Sequence, residues 1–397
     1  MSDIIPVESI PIAPGAIEAE CGEVGYDSKY LGYLDAHFLN LISRRKIQCA
    51  SYVLARRGKV FASKAMGFLR PDTDIPFRTD SPRQIASITK LFTAIALLRL
   101  YELGKLDLNE SVSRYVPEFA TDMHSPITVF QLLTHTGGVV GDSGYFLEPY
   151  PFENPLMQGK EWLKRGLAGP LQAAPGSQWI YSSFGFMVLG KALEAITGED
   201  FEDHITRTIL KPLGMSRSAF RPSLEKSGEI CVASAEEAAF LPKILDPRPW
   251  PGPPRSSWGI FSTAEDLSRL GRCLAGGGEL DGVRILGRKT VEAMGRNQIP
   301  GTYAFYWGAR KAEYPYGLGV QIAKNEFTGK GGFAHEGAGA SCLTLDPERE
   351  FASAFFVPSK GGWTAEAVDN PNPIIWGGLC EDPCRGRYRP APSRASS

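Results

Sequence analysis

Ser87-Ile88-Thr89-Lys90 places a hydroxyl and an amine three residues apart, one helical turn along the same face. A serine hydroxyl is a weak nucleophile at neutral pH and needs a base within hydrogen-bonding reach. An amine serves as that base only when it is partly uncharged, a state that burial among apolar groups favours by penalising the ammonium. The same S-x-x-K spacing recurs at 43–46 and 223–226, but Lys46 and Lys226 stand among charged and polar residues, whereas Lys90 is followed by Leu91, Phe92, Ala94 and Ile95. Ser87 also opens a helical pattern, where unpaired backbone N–H groups and the helix dipole favour an oxyanion. These features make Ser87 a candidate nucleophile and Lys90 its partner; the competing reading is a plain helix cap.

Two further groups fit the same chemistry. Tyr181-Ser182-Ser183 lies between a short strand pattern and a helical one, where the competing reading is a packed tyrosine with Ser183 as N-cap. His335-Glu336-Gly337 precedes the strand pattern of 340–345, and a lone strand histidine is ordinarily a satisfied polar residue.

Taken in order, these three groups resemble the motifs of the serine β-lactamase and penicillin-binding protein superfamily, most closely its class C β-lactamase and family VIII carboxylesterase branch. They match S-x-x-K, an altered Y-x-N and the H-x-G form of K-T-G. The resemblance runs over residues 45–360 and takes in LLTHTGG at 132–138, STAEDL at 262–267, YGLG at 316–319 and LDPE at 345–348. It implies Ser87 as the acylated nucleophile, with Lys90 and Tyr181 sharing proton transfer and the lysine ammonium lowering the tyrosine pKa. It further implies an oxyanion hole from the backbone N–H groups of Ser87 and Ala338, and substrate contacts from Ser183, His335, Glu336 and Gly337.

Departures from the family pattern bear on substrate. Ser183 stands where asparagine is usual, and a hydroxyl cannot span the donor and acceptor that an amide offers. His335 replaces a permanent cation by a group only partly charged at pH 7, and Glu336 adds a carboxylate that disfavours an anionic ligand. The expected activity is therefore hydrolysis of small carboxylic esters through an acyl-enzyme, without cofactor or metal. Alternatives are acyl transfer to an alcohol or amine on a specialised metabolite, weak β-lactamase or D-amino-acid amidase activity, and a catalytically dead binding homologue. The aromatic residues Tyr303, Phe305, Tyr306 and Trp307, with Tyr145, Phe146, Tyr150, Phe152, Trp250 and Trp258, are candidates for an apolar acyl pocket. His135 is read as structural, bonding a helix end.

Elements able to hold these groups follow from periodicity. Residues 30–42 carry an apolar helical face, 51–56 and 60–67 form a hairpin around Arg57-Gly58-Lys59, and 86–103 make a helix apolar nearly all round, hence buried. Thr128 and Gln131 form a capping box, helices follow at 184–196, 201–210 and 263–274, and strands at 317–322, 340–345 and 351–357. Strands, a helical middle and strands again predict an α/β fold of the α+β type. It comprises an antiparallel sheet flanked by helices and an inserted mainly helical domain, as in β-lactamases and transpeptidases. The divisions are an N-terminal extension at 1–25, a sheet domain at 26–120 plus 258–380, a helical domain at 121–257 and a disordered tail at 381–397.

Composition narrows the partners. In 397 residues, 43 Lys plus Arg against 44 Asp plus Glu give a net charge of -1, so no basic surface for nucleic acid is expected. The longest apolar run, 91–100, is broken by Thr93 and Arg99 and is too short for a membrane helix. Acidic residues and prolines at the N-terminus, with seven scattered cysteines, read as a cytoplasmic protein with reduced thiols.

Overall fold

The computed structural model describes residues 4–71, 73–146, 159–246, 252–322, 327–360 and 362–380. The tail at 381–397, with Tyr150, Phe152 and Trp250 among the expected aromatic residues, lies outside the described residues.

Six strands make one antiparallel sheet: β1 (Ile12–Pro14), β2 (Cys49–Arg56), β3 (Lys59–Gly67), β4 (Phe333–Gly337), β5 (Ser341–Asp346) and β6 (Phe351–Phe356), in the order β1-β3-β2-β6-β5-β4. Both chain ends build it. Strand side chains alternate between faces. Ala50, Tyr52, Leu54, Phe351 and Phe355 meet Leu34, Phe38 and Leu41 of helix α1 (Lys29–Ser43) on one face. Ala352, Ala354 and Phe356 enter the larger core on the other. The N-terminal extension at 1–25 supplies β1, which covers the edge of β3 in the register Ile12↔Met66.

Helix α2 (Thr89–Glu102) lies buried in that larger core, and Gly104 stops it in the left-handed region. Its neighbours include α3 (Val129–Leu133), held by the Thr128–Gln131 capping box, and α4 (Ser183–Thr197). Helix α5 (Ala264–Ala275) lies flat on the sheet at Gly271, where an added Cβ would meet Leu343 at 3.0 Å.

Three local expectations change. The helix expected at 86–103 opens with a 3-10 turn, Ala86–Ile88, before the α-helix begins. The helix at 201–210 divides into an α segment, Phe201–Ile205, and a π segment, Thr206–Leu210. No strand forms at 317–322: Gly319 has φ +76°, the Gly317 N–H donates to Val320 O at 2.9 Å, and only isolated bridges at Tyr316 and Gln321 remain. Two glycines let the chain double back there, and the alternation of apolar residues around them does not reveal it.

Candidate active site

Ser87 sits in the 3-10 turn ahead of α2, partly exposed, next to Ala86 at φ +44°. A non-glycine residue in that region costs about 1–3 kcal/mol and persists where surrounding bonds fix it. Here the Ile85 N–H donates to Ile260 O at 2.9 Å, and Ile85 O accepts from the Ile88 N–H at 3.1 Å and the Ser341 hydroxyl at 3.2 Å. Gly337, the last residue of β4, packs directly on that Ile85 carbonyl, which brings the third motif beside the nucleophile.

Lys90 is fully buried, and its Nζ reaches three oxygens: Ser87 Oγ at 3.1 Å, Ser183 Oγ at 3.2 Å and the Ser257 carbonyl at 3.1 Å. The Tyr181 ring lies 4.6 Å from the amine and the Phe186 ring 5.9 Å. Burial lowers its pKa to about 8, with the Asp142 carboxylate pulling the other way. Lys46 and Lys226, in the other two S-x-x-K copies, are exposed.

Tyr181 departs from expectation. Burial pushes its phenol well up, the neighbouring Tyr316, Asp142 and Tyr145 push the same way, and the nearby Ser87 hydroxyl opposes them. The resemblance implies a phenol lowered by the Lys90 ammonium, whereas here burial dominates and the shift runs upward.

Ser182, not Ser183, caps α4: its hydroxyl accepts from the Gly185 N–H at 2.9 Å and donates to Val140 O at 2.6 Å. The Ser182 N–H donates to His135 Nδ1 at 3.1 Å, so His135, at φ +57° just past α3, fastens the second motif. This releases the Ser183 side chain toward Lys90. Its hydroxyl donates to Asp142 Oδ2 at 2.7 Å, and its N–H donates to Asp142 Oδ1 at 2.9 Å. No sequence motif points to Asp142, which lies 41 positions before its partner.

His335 is buried on β4, with Nδ1 2.9 Å from Glu336 O; burial first, then Lys90 and His335, lower the His135 pKa. Glu336 lies near enough to Tyr314 to help raise that phenol. Ala338 follows in the turn between β4 and β5. Among the described residues, no hydrogen bond engages the N–H of Ser87 or of Ala338.

An aromatic wall rises beside Tyr181. Tyr145 lies 4.9 Å from its ring and 5.4 Å from that of Trp307, whose Nε1 donates to Tyr145 Oη at 3.2 Å. Tyr306 joins this group, as do Trp179, Tyr314 and Tyr316, none of which was among the expected pocket aromatics. Trp258 packs instead into other clusters. Among the described residues, no group of three His, Cys, Asp or Glu is placed to hold a metal, and no helix is long and apolar enough to cross a membrane.

Comparison with known proteins bears on this arrangement. The family model described as Beta-lactamase matches residues 34–373. Protein flp of Staphylococcus aureus (strain N315) is 30% identical over 189 residues, a stretch that spans 47% of this chain and 37% of that relative. Among solved structures, a family VIII carboxylesterase is similar with TM-score 0.71 at 20% identity, covering 92% of this chain and 99% of the other. EstCE1, described as a hydrolase with promiscuous acyltransferase activity, gives TM-score 0.67 at 21% identity over 89% and 99%. At such identities the two structures establish the fold.

Proposed function

The chain belongs to the Beta-lactamase family, whose members are serine hydrolases of the β-lactamase and penicillin-binding type, and on that premise we propose that it is a carboxylesterase acting through an acyl-enzyme on Ser87. The observation that carries this reading is the buried Lys90 amine, with a pKa of about 8, held 3.1 Å from the Ser87 hydroxyl. Near neutrality a usable fraction of that amine is uncharged, and a positioned base of this kind is worth about 10² to 10⁴ in rate.

In the proposed reaction the Ser87 O–H bond breaks, its proton passes to Lys90, and Ser87 Oγ bonds to the ester carbonyl carbon. The resulting oxyanion lies between the N–H groups of Ser87 and Ala338. Collapse breaks the bond to the alcohol oxygen, which takes the Tyr181 phenol proton, and the Lys90 ammonium restores that proton. Water then repeats the sequence on the acyl-enzyme. A neutral ester suits the site better than an anionic substrate, because Asp142 and Glu336 place carboxylates at its margin and His335 stands where a lysine would pair with a ligand carboxylate. The similarity to a family VIII carboxylesterase supports the same choice.

The test is to incubate the protein and Ser87→Ala with a short-chain p-nitrophenyl ester and a fluorophosphonate, following p-nitrophenol release and intact mass. Turnover and a single phosphonyl adduct are expected in the parent protein and neither in the variant; equal labelling and turnover in both would overturn the assignment. Adding an alcohol to the same assay and measuring transferred acyl product separates hydrolysis from acyl transfer.

A further inference from the structure

Asp142 belongs to none of the three motifs, yet it grips the second one from both sides. Its two carboxylate oxygens accept the Ser183 hydroxyl at 2.7 Å and the Ser183 N–H at 2.9 Å, while its own N–H donates to Tyr181 O at 2.8 Å. A serine hydroxyl owns one proton, and an ionised carboxylate can only accept. The Ser183 proton is therefore committed to Asp142, and Ser183 Oγ turns only lone pairs toward Lys90, 3.2 Å away.

The Ser257 carbonyl, 3.1 Å from the same amine, likewise only accepts. A neutral amine carries two N–H bonds and one lone pair. With one N–H directed to Ser183 and the other to Ser257, the lone pair is left for the third neighbour, Ser87 Oγ at 3.1 Å. We infer that Asp142 is a positioning residue which, by fixing the direction of the Ser183 hydroxyl, aims the neutral Lys90 lone pair at Ser87, so that the lysine takes the serine proton in acylation.

This inference rests on the esterase reading and specifies how its base is set. The Ser183–Asp142 pair would do, across two segments of chain, what a single amide side chain does elsewhere in the family. The titratable groups around Lys90 are Tyr181 from the second motif, with Tyr316 and Tyr145 behind it, His135 and Asp142 from the stretch after α3, and His335 from β4. Among these, Asp142 is the group that holds the Lys90 pKa up against burial. Neutralising it should lower that pKa further, so that the uncharged amine appears at lower pH.

The experiment measures kcat/KM against pH for p-nitrophenyl ester hydrolysis in the parent protein, Asp142→Asn, Asp142→Ala, Ser183→Ala and the Asp142→Ala/Ser183→Ala double variant. Thermal unfolding is followed in parallel. The rising limb, near pH 8 in the parent, should move to lower pH in Asp142→Asn. The plateau should fall roughly 10- to 100-fold in Asp142→Ala, the scale of a misdirected catalytic group. Adding Asp142→Ala to Ser183→Ala should cause little further loss of the plateau, since the carboxylate directs the amine through that hydroxyl, while its charge still shifts the limb. A merely structural role would lower the unfolding temperature without moving the limb. If Asp142→Ala fails to fold, the Asp142→Asn profile decides alone. An unmoved limb, or losses that multiply in the double variant, overturns the inference while Ser87-dependent turnover stands. Turnover that survives Ser87→Ala overturns the esterase reading and this inference with it.

Discussion

Substituting Gly337 by alanine tests whether the third motif must approach the nucleophile as closely as the structure places it. A Cβ built on Gly337 comes within 3.0 Å of the Ile85 carbonyl carbon and closer still to its oxygen, whereas ordinary contact begins at 3.4 Å. The neighbour is backbone, and Ile85 is tied to Ile260, Ile88 and Ser341, so it cannot rotate away. Relief must come from β4 withdrawing by about 1 Å, as overpacked backbone does elsewhere. Ala338 follows Gly337 directly and would carry its N–H away from the oxyanion by a similar distance. A hydrogen bond stretched that far is lost, and one oxyanion-hole donor is worth about 10² to 10³ in kcat. Gly337→Ala should therefore lose about that factor in kcat for a p-nitrophenyl ester, with KM changed little, while Lys90 keeps its partners and the rising pH limb stays in place. Stopped-flow acylation and steady-state kinetics read both, and far-ultraviolet circular dichroism shows whether the fold is kept. A variant within threefold of the parent in kcat would refute the claim that Ala338 serves the oxyanion.

Two other substitutions probe the site. Lys90→Met should abolish acylation by about 10² to 10⁴. Its stability should also follow pH differently. A lysine held near 8 when folded and 10.5 when unfolded binds more protons in the unfolded state between those values, so the parent gains stability as pH rises through that window. Relative to Lys90→Met that gain should approach about 3 kcal/mol, read as the difference in unfolding free energy from urea titrations at pH 7.5 and 10.5; parallel curves would place the ordinary pKa in the folded protein. Trp307→Ala should raise KM for an aromatic ester roughly threefold to tenfold with kcat held, and leave an acetate ester unaffected, because Trp307 is 64% exposed on the aromatic wall and touches no proton-transfer group. Equal effects on both esters would remove the wall from substrate binding.

Local rules reached most of the scaffold. The apolar run after Lys90 foretold a buried helix, the Arg57-Gly58-Lys59 turn foretold the pairing of β2 with β3, and Thr128 with Gln131 foretold a capping box that exists. Where long-range geometry decides, the same rules failed. Nothing in 317–322 announces that Gly317 and Gly319 fold the segment back on itself, and nothing in 12–14 announces an edge strand whose partner lies fifty or more positions away. The pattern S-x-x-K occurs three times, and only the surroundings of Lys90, legible as hydrophobicity, separate one copy from the others. The elevated phenol of Tyr181 was not legible, because the burial that mainly raises it, and the rings and carboxylate that add to it, come from segments near 142, 145 and 316.

The second motif shows why a departure in sequence need not be a loss of chemistry. Replacing an amide by Ser183 removes a side chain that both donates and accepts, and by motif alone it suggests a loosened lysine. A lone hydroxyl beside Lys90 would rotate, offering its proton to the amine lone pair in one orientation and its own lone pairs in another. The first orientation blocks the base. Asp142 excludes it, because turning the Ser183 proton away from a carboxylate gives up a charge-assisted hydrogen bond, roughly twice as strong as a neutral one. The carboxylate also opposes the desolvation that would otherwise drive the lysine pKa further below 8 and make the amine a feebler proton acceptor. Direction and basicity are thus set by one residue that contacts the motif and not the amine. The same carboxylate adds negative charge at the cleft margin, so the device that restores the base also favours neutral esters over the carboxylate-bearing ligands that a lysine in the third motif would hold.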